Sequence, residues 1–219
     1  MKWARNEEIE SEILASLHED MRDETRTQLS VTSLIYCLTK TFYNREMGLG
    51  ANIAPSREQT LLFSTGLGLE DVLLKDRKFT VKGVHEGIAY HVDSIGKDYD
   101  QLTEFKSTRL SSKKTPDDFS NSWLRQYKSY LKAEGKTGGH YIVIHLMGNY
   151  APPFPDLRAY EIEFTQEEID ENWNWIKGRQ ATYLDHVERK AVPEPFKFNE
   201  DWECTNCEFL GLCKVRTNK

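Results

Sequence analysis

DSIGKDYDQLTEFKST, residues 93–108, decides the reading of this chain. An apolar run, Ile88-Ala89-Tyr90-His91-Val92, ends in Asp93 and opens the stretch. A polar turn at Gly96-Lys97-Asp98 follows, and then a second extended run from Gln101 to Lys106. Side chains alternate faces along a strand, so Glu104 and Lys106 share one face while Phe105 points the other way into the core. An antiparallel hairpin then sets Asp93 beside Glu104. Two adjacent carboxylates repel, and raise each other's pKa, unless a cation lies between them. A hard divalent ion such as Mg²⁺ or Mn²⁺ takes oxygen ligands from such a pair and leaves positions for water and phosphate. A lysine on the same face orients or deprotonates the attacking water, or stabilises charge on the phosphate. Together they point to phosphodiester hydrolysis. The same residues also fit a plain surface ion pair, worth about 0–1 kcal/mol.

Working outward, the centre of the chain is strand-like and its flanks are helical. Phe79 to Val84 and Ile88 to Ile95 read as strands joined by a tight turn at Glu86-Gly87. Upstream, residues 5–28 read as a charged helix, and a second helix starts near Ser30 or Thr32 and runs through Tyr43, ahead of the break at Gly48-Leu49-Gly50. Residues 56–74 read as a helix capped by Ser56 ahead of Gln59, with Gly66 and Gly68 weakening its middle. Downstream, residues 117–134 form an amphipathic helix ending at Gly135. A buried strand at Tyr141 to Leu146, another from Leu157 to Phe164, and a long helix from Gln166 to Arg189 capped by Thr165 follow. Pro193 and Pro195 release the chain into a cysteine-bearing tail. The order is that of an α/β domain with helical arms at both ends.

On the helix after the strands, Gln126 and Tyr130 are four apart and share a face. They can hydrogen-bond a phosphate or the lysine, or else pack as an edge-on ring beside a solvated amide. The net charge of −6 counts against a nucleic-acid partner. The acid is segregated, however. Glu7 to Glu24 and Glu167 to Glu171 are acidic, while Lys106, Arg109, Lys113 and Lys114, then Arg125, Lys128 and Lys132, gather near the opening stretch.

The chain has four cysteines: Cys37, then Cys204, Cys207 and Cys213. Three clustered thiols and one remote thiol suit a tetrahedral Zn²⁺ site or a four-iron cluster, and spacing does not choose between them. Cys37 also fits a buried apolar side chain. The 219 residues are enough for one substantial core, and 38% hydrophobic with 29% charged residues is ordinary for a soluble globular protein. With no long apolar run and a charged N-terminus in place of a secretory leader, a cytoplasmic protein away from membranes is expected, its thiols reduced.

The set Asp93, Glu104-Phe105-Lys106 and Gln126-x3-Tyr130, preceded by Ser33 to Tyr43 around Cys37 and followed by the three-cysteine tail, resembles the RecB-type branch of the PD-(D/E)xK nucleases. Within that branch it resembles the CRISPR-associated exonuclease family four, together with the cluster-bearing nuclease domains of bacterial helicase–nucleases. The resemblance covers nearly the whole chain. It implies a single nuclease domain over residues 1–219, with a helical arm at 1–55, a core at 56–192 and a cluster-binding tail at 193–219. The fold implied is a restriction-endonuclease-like mixed sheet flanked by helices, its terminal arms joined by a metal cluster. Asp93 and Glu104, with the Phe105 carbonyl, become ligands of Mg²⁺ or Mn²⁺, and Lys106 the catalytic lysine. Gln126 and Tyr130 become the motif that supports the site and contacts DNA. The four cysteines would hold a [4Fe–4S] cluster, with Zn²⁺ as the alternative. Single-stranded DNA is the implied substrate, with Arg109, Lys113, Lys114 and Arg125 along its path. CRISPR adaptation proteins are the implied partners, and an oligomer remains open. Two positions depart from the family pattern. A histidine is common four residues after a glycine, where Glu70 follows Gly66, and a glycine is common where His91 stands. Glu70 supplies a further metal oxygen or is a solvated helix residue; His91 reaches the metal or is structural. A non-catalytic DNA-end-binding or adaptor module, and a zinc-stapled structural protein, are the rival readings.

Overall fold

Two residues of left-handed backbone start the sheet. β1 (Val81–His85) and β2 (Ile88–Val92) pair antiparallel, with His85 opposite Ile88. Their two-residue turn uses φ of 47° at Glu86 and 79° at Gly87, the twist that closes tight hairpins. The computed structural model describes residues 15–17, 28–52, 56–73, 81–95, 101–146, 156–195, 202–205 and 207–217. Phe79, Thr80, the Gly96-Lys97-Asp98 turn and the expected charged helix, apart from residues 15–17 and 28, lie outside them.

The strand expected from Ile88 to Ile95 is interrupted. The chain bends at Asp93, and β3 (Ser94–Ile95) leaves the hairpin to join a second sheet. That sheet is ordered β3, β4 (Leu102–Thr108), β5 (Gly138–His145) and β6 (Asp156–Glu163). Only the β4–β5 pair is parallel, so the sheet is mixed. The bend has a local cause: the Asp93 carboxylate accepts the Phe105 N–H at 2.8 Å, a bond that a straight strand would make with its backbone.

A parallel pair needs a crossover, and α4 (Asn121–Ala133) lies within it. It starts later than the expected residue 117. Pro116 to Asp118 form a 3-10 turn, the chain extends through Phe119, and Ser120 accepts the Trp123 N–H as N-cap. Gly135, at φ 65°, follows its C-terminus.

The helix expected from Ser30 to Tyr43 is two helices, α1 (Val31–Ile35) and α2 (Leu38–Arg45). Ser30 and Ser33 cap α1 reciprocally. The break at Tyr36-Cys37 is stabilised from outside. Arg179 donates to the Leu34 and Tyr36 carbonyls, which an unbroken helix would have satisfied internally. Helix α3 (Arg57–Leu73) runs through both glycines, its Ser56 and Gln59 capping each other. A Cβ on Gly66 would lie 3.1 Å from Ser107 Oγ, so α3 approaches β4 closely there. Helix α5 (Gln166–Glu188) is capped by Thr165 and Glu168. The tail carries α6 (Trp202–Thr205) and α7 (Leu210–Thr217).

The main core joins Leu102, Tyr141 and Val143 of the sheet to Leu34 of α1, Tyr127 and Leu131 of α4, and Ile169, Trp173 and Ile176 of α5. On the other face Phe105 and Ile144 pack with Leu69 of α3. Helices therefore flank the mixed sheet on both faces. Among the described residues no helix is long and apolar enough to cross a membrane.

Candidate active site

The site lies where β4 runs past its short neighbour. Among the described residues β3 pairs only at Ser94 with Thr103 and Ile95 with Leu102, and no strand pairs with that edge of β4 from Glu104 onward. Asp93, at the bend, reaches across that opening to the Phe105 N–H. In an extended chain one residue's N–H and C=O point the same way, so the Phe105 carbonyl faces this edge too.

Glu104 is almost wholly buried, at 1% exposure, against α4. One of its oxygens accepts from Lys106 Nζ, and the other has no hydrogen-bond partner among the described residues. Burial, followed by the neighbouring Asp93 charge, pushes its pKa up to about 8, against the pull of Lys106, and Glu70 adds to the rise. Burial works against the charge on Lys106, but Glu104 overcomes it and holds the amine well above its ordinary value. Lys106 also donates to Gln126 Oε1 at 3.0 Å, and Gln126 Nε2 donates to the Tyr130 hydroxyl at 2.7 Å. The 3.6-residue helical repeat puts both side chains on one face of α4, where Gln126 meets the strand lysine and Tyr130 meets Gln126. Gln126 is therefore not a solvated amide: both ends of it are hydrogen-bonded, to Lys106 and to Tyr130. Burial, with the Glu104 charge, also raises the pKa of the Tyr130 hydroxyl.

Glu70, on α3, lies within electrostatic reach of Glu104 and lines a cavity of about 770 Å³ with Phe105, Ser107, Thr108 and Arg109. His91 lies on β2 opposite Lys82. Arg109 is exposed and meets Glu58 at 3.6 Å. Lys113 is exposed on the following loop, and Lys114 pairs with Asp118 at 3.0 Å. Arg125 departs from this strip. It stacks over Trp175 at 4.1 Å and donates to Asn172 at 3.3 Å, in the seam between α4 and α5.

Among the described residues no three His, Cys, Asp or Glu side chains converge closely enough to hold a metal ion by themselves. Asp93, the Glu104 oxygen without a partner and the Phe105 carbonyl are all hard oxygen donors, the ligand chemistry that a divalent cation takes. The four thiols are free and half-buried. They lie within electrostatic reach of one another, since burial first, and then Cys37, Cys207 and Cys204, raise the Cys213 pKa. The tail carrying three of them docks on α2 through Lys40 to Glu208 at 2.9 Å and Tyr43 against Phe209 at 5.2 Å. Thiolates are ligands for zinc or for an iron–sulfur cluster, but no three of these four converge closely enough in this structure to hold one.

Two residues of this neighbourhood escaped sequence reasoning. Tyr141 is paired with Glu104 across the parallel strands, and Arg179 braces the Cys37 turn. Strand alternation marks Tyr141 as one face of β5, but only the register names its neighbour. For Arg179 the sequence carries no signal.

The mixed sheet with its parallel central pair is a fold found among known proteins. The chain shares its fold with a phage-related exonuclease. That protein, from Haemophilus somnus 129PT, matches at a TM-score of 0.50 and 11% identity, over 75% of this chain and 96% of its own. SSO0001 matches at a TM-score of 0.58 and 21% identity, over 94% of this chain and 96% of its own. At these identities the likeness is one of fold. No protein-family model matches the chain, and no curated protein matches it significantly.

Proposed function

We propose that this protein is a divalent-metal-dependent deoxyribonuclease, an exonuclease acting on single-stranded DNA. The observation that carries the reading is the chain from Glu104 through Lys106 and Gln126 to Tyr130, buried beside Asp93 at an open strand edge. A surface ion pair needs none of that support. The fold shared with a phage-related exonuclease agrees with it.

Asp93, Glu104 and the Phe105 carbonyl would hold Mg²⁺ or Mn²⁺, with Glu70 as a further oxygen. When bound, the ion supplies Lewis acidity at the phosphate and lowers the pKa of water. Lys106, held charged by Glu104 and aimed by Gln126, stabilises the negative charge that grows on the phosphate oxygens. Hydrolysis forms one P–O bond from water, breaks one P–O bond to the leaving sugar oxygen, and transfers the water's proton to that oxygen. Arg109 and Lys113, both exposed just after β4, would contact the backbone of the strand. Arg125, committed to Trp175 and Asn172, shapes α4 instead. Cys37, Cys204, Cys207 and Cys213 would hold a [4Fe–4S] cluster, or Zn²⁺, that ties the tail to α2. A role in CRISPR adaptation, or in processing viral or cellular DNA, follows from the sequence resemblance.

The test is to incubate anaerobically purified protein and Lys106→Ala with end-labelled single-stranded DNA and Mn²⁺ or Mg²⁺. Shortening by the wild type alone is expected. Intact DNA with both proteins, the cluster being present, would refute the nuclease and leave a DNA-binding module.

A further inference from the structure

Two buried polar atoms on one face of the sheet have no hydrogen-bond partner among the described residues: Glu104 Oε2 and the Tyr141 hydroxyl. The strand register brings their residues together. Glu104 stands opposite Tyr141 in the parallel β4–β5 pair, so the two side chains leave the same face of adjacent strands. Tyr141 is fully buried, and its ring is wedged by Tyr127 at 5.2 Å, edge-on, and Phe119 at 5.4 Å. The hydroxyl therefore has no route to solvent by rotamer change. It lies within electrostatic reach of Lys106, Glu104 and Asp93.

A buried hydroxyl without a partner costs folding free energy, and a phenylalanine would fill the same volume without that cost. The tyrosine hydroxyl and the free carboxyl oxygen are two polar partners, the number a single buried water molecule needs. A carboxyl oxygen accepts when ionised and can donate when protonated, and water does both, so the bridge forms in either state and does not prevent Glu104 from meeting a cation. We propose that Tyr141 is a positioning residue: its hydroxyl and Glu104 Oε2 together hold one water molecule beside Lys106, in place to attack the phosphate. This rests on the nuclease reading for its purpose, though not for its geometry.

The test is Tyr141→Phe, read in two ways. A high-resolution crystal structure of the metal-free wild type should contain an ordered water within hydrogen-bonding distance of both atoms, and Tyr141→Phe should lack it. On single-stranded DNA the variant should lose about ten- to a hundredfold in kcat at unchanged KM, with thermal stability equal to or above that of the wild type. A variant that is more stable and as fast as the wild type would overturn the proposal, because the hydroxyl would then be only an unpaired core group. So would wild-type crystals without the water, which decide the matter even if the variant fails to fold. If the wild type cuts no DNA, yet the water is present and lost in Tyr141→Phe, the nuclease reading falls and the hydration site stands.

Discussion

Replacing Glu104 by glutamine probes the buried carboxylate through stability, independently of any activity. Glu104 titrates ordinarily at 4.5 and in the folded protein at about 8, because burial and Asp93 oppose its charge. The folded protein therefore keeps a proton that the unfolded chain gives up. This stabilisation is full below about pH 4.5 and is lost as pH rises through about 8. At about 1.36 kcal/mol per pH unit, the interval from 4.5 to about 8 corresponds to about 5 kcal/mol. Water entering the open strand edge screens the carboxylate, so a measured loss of about 2–5 kcal/mol is expected. Glutamine has the shape of the protonated acid and does not titrate. The assay is urea unfolding with a chelator present at about pH 5 and about pH 8. The wild type should lose stability across that interval and Glu104→Gln should not. Magnesium should restore stability to the wild type at the alkaline end, since a cation replaces the proton, and should leave the variant unchanged. Equal pH slopes in the two proteins would refute the buried-carboxylate reasoning. Restoration of both by magnesium would refute Glu104 as its ligand.

Other outcomes follow from the same geometry. Lys106→Ala should lower kcat by about 10²–10³-fold while single-stranded DNA still binds, measured by fluorescence anisotropy with a chelator present. Gln126→Ala should have a smaller effect, about tenfold in kcat, because Lys106 keeps Glu104 as partner but loses its second anchor. Cys213→Ser should abolish the bound iron or zinc in elemental analysis and expose the tail to protease, with the visible absorbance distinguishing the two metals. Arg109→Ala should weaken DNA binding regardless of sequence and reduce the salt slope by about 1, whereas Arg125→Ala should chiefly lower thermal stability by loosening α4 from α5.

Much of the fold was legible along the chain. The Glu86-Gly87 turn, the Ser56 and Thr165 caps and the alternation around Phe105 are local features, set by backbone sterics and short-range hydrogen bonds, and each appears in the structure. Where expectation and structure part, a distant residue has intervened. Tyr36 and Cys37 break a helix because Arg179, over 140 positions away, satisfies the carbonyls. Pro116 and Ser120 divide what periodicity joins, since the chain must turn before α4 can begin to cover the sheet.

The candidate site divides in the same way. Sequence by itself determined which residue types are present: two acids and a lysine at strand spacing, a glutamine and a tyrosine one helical turn apart, and three clustered thiols. Those are properties of the covalent chain and of the two regular repeats. Tertiary structure alone decided that Glu104 is buried, that Gln126 faces Lys106, that Arg125 turns to Trp175, and that Tyr141 shares a face with Glu104. Each depends on strand register and helix packing between segments far apart in the chain, and a carboxylate's pKa depends on that enclosure. Spacing can place a glutamate on a face; only the packed sheet and helix can take it out of water.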